Sequence, residues 1–167
     1  MMYDLDRMAE ASHNSGDQWA RKLSLICEGP ENKDGRRLLD AGQVMIVLVY
    51  QALRLAGISD EYVVSALKAY SERLQKIGKS FEEKFEPEKE WMFYFSNGKH
   101  VALDGETRIY DVIKSIWVSS IPRPTVLLSL SLPMLWKHFV GAPEFSAYLH
   151  SEEAKSADGK QCPAAAS

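Results

Sequence analysis

Six polar or basic side chains near the start of the chain have the types and spacing to bind a polyanion. They are Gln18, Arg21, Lys22, Lys33, Arg36 and Arg37. The first three lie on the outer side of a short helix predicted over residues 17–23, whose Trp19 and Leu23 point inward. The other three belong to a Gly- and Pro-containing stretch, residues 28–37, that predicts a hairpin loop. Amide and guanidinium groups can recognise base edges and cations can bind phosphates, so nucleic acid is one polyanion that side chains of these types could bind.

Covalent catalysis and metal chemistry find little support in the sequence. The four histidines His13, His100, His138 and His150 are scattered and stand in no recognised pattern with a carboxylate or thiol. There is no Gly-rich phosphate loop and no nucleophile elbow. The only cysteines are Cys27 and Cys162, so residues 82–150 contain none and do not predict a thiolate metal sensor. We expect no catalytic residues, no metal and no cofactor.

The charge balance limits how strongly a polyanion could bind. The formal net charge is −3, the isoelectric point is about 5.8, and residues 1–40 hold six basic and eight acidic side chains. Because phosphate neutralisation dominates DNA affinity, such a surface predicts weak binding or binding as a dimer. Clustering of Arg21-Lys22 and Arg36-Arg37 on one side would offset the acids. The alternative for Arg36-Arg37 is a solvated turn.

The elements that must position these side chains follow from periodicity and capping. Leu5, Met8 and Ala9 have helical spacing, and short strands are expected around residues 25–26 and 37–38, on either side of the hairpin loop. Asp40 can cap an apolar helix. Gly57 suits the end of that helix, and Ser59 suits the start of the next. Trp19 is expected in the core, between the first two helices.

The helix after Ser59 carries apolar residues at alternating gaps of four and three. They are Val63, Leu67, Tyr70, Leu74, Ile77 and Phe81. A period of 3.5 residues over nearly three heptads is typical of a coiled-coil seam, so a partner helix and a homodimer are predicted. The alternative is that this face packs on the chain's own C-terminal module.

Residues 87–150 predict a small β-β-α-β-α module. Asn97-Gly98 joins two aromatic-rich strands, a helix follows over 107–117, residues 125–130 suit a central buried strand, and 134–140 suit a short helix. The aromatic side chains are expected in a core, with a ligand pocket as the alternative. The module could also contact a protein partner. Residues 151–167 are expected to be a disordered tail.

The overall composition is that of a globular protein. Hydrophobic residues make up 46% and charged residues 26% of the 167 residues, which suits one domain or two small ones. No secretory signal is recognisable at the N-terminus, and the longest apolar run, residues 44–50, is too short to cross a bilayer. We therefore expect a cytoplasmic protein without a membrane partner.

The order of these elements resembles the winged helix-turn-helix regulators of the MerR type. The resemblance covers residues 2–85, from Tyr3-Asp4-Leu5 through the hairpin, and is closest at Leu53-Arg54-Leu55-Ala56-Gly57-Ile58-Ser59. It implies an α+β protein with a winged helix-turn-helix head over residues 1–58 and a dimerising helix over 59–86, followed by the module. The function implied is transcription regulation through duplex DNA, with Gln18, Arg21 and Lys22 in the major groove and Lys33, Arg36 and Arg37 on phosphates. The competing hypothesis is a host- or phage-encoded adaptor or inhibitor that keeps this fold without binding DNA.

Overall fold

The computed structural model of the chain describes residues 1–11, 14–85, 92–96, 100–104 and 127–149. Within those ranges the protein combines helices with two small antiparallel sheets, which confirms the α+β class. The elements in chain order are β1 Tyr3–Asp4, α1 Leu5–Ala11, α2 Gly16–Ile26, β2 Glu31–Lys33, β3 Arg36–Leu39, α3 Ala41–Leu55, α4 Asp60–Glu83, β4 Met92–Ser96, β5 His100–Asp104, β6 Leu127–Ser131, α5 Leu132–Val140 and α6 Phe145–Tyr148.

Helices α3 and α4 pack against each other and contribute much of the core. The predicted start of α3 is confirmed, because the Asp40 carboxylate accepts from the Gln43 backbone N–H at 2.8 Å and the Gln43 side chain accepts from the Asp40 N–H. The predicted end is confirmed as well. Gly57 has φ of 84°, and the Ile58 N–H reaches the Leu53 carbonyl at 3.1 Å, which closes a Schellman motif.

Two glycines set how closely these helices approach. A Cβ atom at Gly78 would lie 2.3 Å from the carbonyl oxygen of Ala41, and one at Gly42 would lie 2.8 Å from the backbone of Gln75. Both positions therefore need glycine, because any side chain would push the helix backbones apart. Gly78 lowers the intrinsic helix propensity of α4. Its place in the contact explains why the helix contains it.

The seam of α4 is buried within the chain, which corrects the expectation that a partner helix covers it. Val63, Leu67 and Leu74 have 0% exposure in the single chain. Ile77 and Phe81 are also buried, and half-buried Tyr70 packs edge-on against Phe93, with ring centroids 6.3 Å apart. The heptad spacing records only that one face is apolar. It does not distinguish a second copy from an antiparallel neighbour such as α3.

The N-terminal sheet has the strand order β1-β3-β2. Residues 25–26 were expected in its first strand but form the last turn of α2, and the strand that pairs with β3 begins at Glu31. The turn between β2 and β3 is the two-residue loop Asp34-Gly35, and both residues have positive φ. Such a loop favours Asp-Gly and fixes the hairpin register. This short signal is hidden in the sequence among several other turn-forming residues.

The C-terminal elements share the core of the head. Strands β4 and β5 pair as predicted, but β4, rather than β6, is the central strand of the described sheet. Helix α5 is confirmed, and its Trp136 and Phe139 pack with Tyr3 of β1 and Phe81 of α4. Leu149 also bridges to Tyr3. The predicted Asn97-Gly98 turn, the helix over 107–117 and the tail over 151–167 lie outside the described residues.

Candidate nucleic-acid interface

Helix α2 anchors one side with apolar residues, and its exposed residues are polar except for Leu25, which is 60% exposed. Trp19, Leu23 and Ile26 are buried at helical spacing. The Trp19 ring packs edge-on against Tyr50 of α3, with centroids 4.8 Å apart, which confirms its place in the core. Gln18 and Arg21 are exposed, as a base-reading pair would have to be.

Lys22, the third predicted reading residue, instead joins α2 to α3 and α4. Its ammonium donates to the Tyr50 hydroxyl and lies 3.0 Å from the Asp60 carboxylate, and the Tyr50 hydroxyl also donates to Asp60. Burial would lower the pKa of Lys22, but the hydrogen bonds to Tyr50 and Asp60 outweigh it and raise that pKa. The hydrogen bond from Tyr50, followed by Lys22, holds the pKa of Asp60 below its usual value. Lys22 is therefore largely engaged within the chain.

Arg37 is also engaged within the chain, where it ties the hairpin to the first two helices. Its guanidinium makes an ion pair with Asp6 of α1 at 2.5 Å and a second with Asp17 of α2. Hydrogen bonds to Asp6 and then to Asp17 raise the pKa of Arg37. Gly16 allows this geometry, because a Cβ atom there would lie 1.9 Å from the Asp6 carboxylate. The Arg37 side chain acts as a clamp between the hairpin and α2.

The remaining predicted cations lie next to the hairpin turn. Lys33 and Arg36 are directly opposite each other in the β2–β3 register, and both are exposed. Residues paired in this way project from the same face of a hairpin, whereas Arg36 and its neighbour Arg37 project from opposite faces. Arg36 also lies 3.9 Å from Asp4. The predicted Arg36-Arg37 pair is thus divided between two surfaces, and Lys33 is the cation that shares a face with Arg36.

Several acidic side chains of residues 1–40, whose number weakens the case for DNA binding, are already paired with other groups of the chain. Asp4 is buried and accepts from the backbone N–H groups of Asp6 and Arg7, at 3.0 and 3.2 Å, so it caps α1. Asp6 and Asp17 pair with Arg37 as described, and Asp40 caps α3 and pairs with Lys79. These contacts hold the fold together. Sequence reasoning counted the acids by number and did not identify the partners that neutralise them.

A cleft of about 450 Å³ lies between α2 and the C-terminal half of α3. Its described lining consists of Asn14, Gln18, Trp19, Lys22, Tyr50, Gln51, Arg54 and Leu55. Gln18 and Lys22 therefore both line this cleft. The other four predicted residues do not line it: Arg21, Lys33, Arg36 and Arg37. Sequence reasoning did not mark Tyr50, Gln51 or Arg54 as site residues, and only their spacing near the end of an amphipathic helix places them together.

Over the described residues, no helix is both long and apolar enough to span a membrane. In the same part of the chain, no three His, Cys, Asp or Glu side chains are grouped as a metal site would require. Comparison of the chain with protein-family models, with curated proteins and with solved structures found no match.

Proposed function

We propose that residues 1–58 form a winged helix-turn-helix head of MerR-like type that regulates transcription by binding duplex DNA. In this proposal α2 enters the major groove, and the β2–β3 hairpin is the wing that lies along the backbone. The observation that carries the proposal is the anchored α2 with Gln18 and Arg21 exposed on its outer face. The order of helix pair, hairpin and second helix pair, with Gly57 at the hinge, supports it as well.

The roles of the six predicted residues divide accordingly. Gln18 and Arg21 would contact base edges, where an amide or guanidinium group can form paired hydrogen bonds. Lys33 and Arg36 would contact phosphates. Both are exposed and directly opposite each other in the hairpin, so they could contact the same phosphate. Arg37 would position the wing, and Lys22 would hold α2 against α3 and α4.

The proposal is tested by fluorescence anisotropy with a labelled pool of random duplexes at several salt concentrations. Binding should weaken as salt rises, because each phosphate contact contributes about −0.9 to the slope of log affinity against log salt. Replacing Lys33 and Arg36 by Ala should flatten that slope by about two contacts' worth. The matched control replaces two exposed cations of α4, Arg73 and Lys76, by Ala, which removes the same charge and should leave the slope unchanged.

A second candidate is a non-catalytic adaptor or inhibitor that keeps this fold and binds a protein. The observation that favours it is the pairing of Arg37 and Lys22 with carboxylates, which leaves the head few cations for phosphates. If the intact protein retains no duplex at low ionic strength, the regulator proposal fails and this candidate takes its place.

A further inference from the structure

We infer that the cleft between α2 and α3 is a binding site for a small planar aromatic carboxylate. Three features of the cleft support this inference: its aromatic floor, its apolar rim and the charge of its lining. It goes beyond DNA binding, because it assigns a ligand to the inner side of α2 rather than to the outer face.

The floor is aromatic and rigid. Trp19 and Tyr50 are each only 4% exposed, and their rings are fixed edge to face. At the rim of this cleft of about 450 Å³, Leu55 is 89% exposed and offers apolar surface. Small-molecule sites occupy about 300–1,000 Å³ and combine apolar walls with a few polar groups. A flat apolar ring could therefore lie over the floor and cover Leu55.

The charge of the lining selects an anion. Lys22 and Arg54 are basic, and none of the described lining residues is acidic, although the chain as a whole carries −3. Gln18 and Gln51 add side-chain amide donors.

The two cations are not equivalent. Lys22 makes an ion pair with Asp60, whereas the exposed Arg54 guanidinium donates to the carbonyl of Ile58 and also interacts electrostatically with Asp60. Two cations thus share one carboxylate, which leaves one positive charge to pair with one negative charge of a ligand. This favours a monocarboxylate, because Arg binds carboxylates through two parallel hydrogen bonds.

Occupancy of the cleft would also affect the outer face of α2, because Gln18 borders both. A ligand that draws Gln18 inward would compete with duplex DNA. That consequence alone rests on the proposed function. The binding site itself is tested without DNA.

The test uses cinnamate and its neutral amide as probes of the full-length protein. Binding is followed by the indole N–H cross-peak of Trp19 in a proton–nitrogen correlation spectrum, assigned by its loss in Trp19→Phe. Cinnamate should shift that peak saturably, and the amide should bind about tenfold more weakly. Arg54→Gln should remove this preference for the acid, and Arg54→Lys should keep most of it.

The matched control is Arg73→Gln, which removes an exposed arginine from α4 outside the cleft. It should leave both affinities unchanged. Equal affinities of the intact protein for acid and amide would overturn the inference. So would the absence of a saturable shift at millimolar cinnamate, or a preference for the acid that survives Arg54→Gln.

Discussion

At the scale of single residues, the polar side chains of the head divide into those that hold the fold and those that face outward. Sequence reasoning identified Gln18 and Arg21 on the outer face of α2, because helical spacing is sufficient to separate inner from outer positions. It could not identify the internal roles of Lys22 and Arg37. Their partners Asp60, Asp6 and Asp17 are distant in sequence and become neighbours only when the chain folds.

Cys27 offers a residue-scale prediction about acidity. Burial, followed by the nearby carboxylates of Asp40 and Glu28, raises the pKa of its thiol to about 11 from the ordinary 9.0. Because the pKa is higher in the folded protein, the fraction of Cys27 present as thiolate at neutral pH is about a hundredfold smaller than that of an ordinary thiol. In a Cys162→Ser variant, where Cys27 is the single thiol, the rate of iodoacetamide alkylation should still be rising at about pH 10. A plateau near 9 would contradict the burial described here.

At the scale of elements, the sequence predicted most helices and strands but not what covers them. Capping residues such as Asp40 and the Gly57 turn fixed the ends of α3 correctly, because those signals are local. The seam of α4 was assigned to a second copy because periodicity alone carries no information about the partner. The prediction that residues 125–130 form the central strand was wrong for a similar reason. An apolar run indicates burial but not position within a sheet.

The buried seam predicts the effect of shortening Leu74. Leu74 has 0% exposure within one chain, so Leu74→Ala should lower the free energy of unfolding by about 2–5 kcal/mol, without the mass change that dissociation of a dimer would cause. The control is the exposed Lys76, where Lys76→Ala should change the free energy of unfolding by less than about 0.5 kcal/mol. Chemical denaturation and light scattering on the same samples measure both quantities. A stable Leu74 variant that changes from dimer to monomer would restore the partner-helix interpretation.

The close approach of α3 and α4 predicts an unusual sign for Gly78→Ala. In an exposed helix this change would stabilise by about 1 kcal/mol. Here the added Cβ would meet the Ala41 carbonyl at 2.3 Å, so we expect destabilisation of about 1–3 kcal/mol. Ser65→Ala, at an exposed position of the same helix, should be neutral or slightly stabilising. A gain in melting temperature for Gly78→Ala would show that the helices lie farther apart.

At the scale of the whole molecule, one apolar core extends from β1 to α6. It includes Tyr3 from the head, Phe81 from α4 and Trp136 from α5. The boundary predicted near residue 86 therefore divides the sequence but not the described core. Composition shifts and charged runs locate such boundaries, whereas aromatic contacts across them are invisible until the chain folds.

This shared core predicts that a change in α5 destabilises the head. Trp136→Ala should cost about 3–5 kcal/mol. It should lower the midpoint temperature of a single cooperative unfolding transition. Helix content and the environment of Trp19 should report the same midpoint. The exposed residue Lys137 on the same helix provides the control, since Lys137→Ala should leave the transition unchanged. Two separate transitions, with only one moved by Trp136→Ala, would show that the head and the C-terminal elements fold independently.

The central claim, that the outer face of α2 binds duplex DNA, is tested most directly by charge reversal at Arg21. Arg21→Glu and Arg73→Glu alter the net charge equally and replace exposed side chains, but only Arg21 belongs to α2. Duplex binding at low salt, measured by fluorescence anisotropy, should weaken at least about tenfold for Arg21→Glu and less than about threefold for Arg73→Glu. Equal losses for the two variants would mean that only the total charge matters. Absence of binding by the unaltered protein would contradict the claim outright.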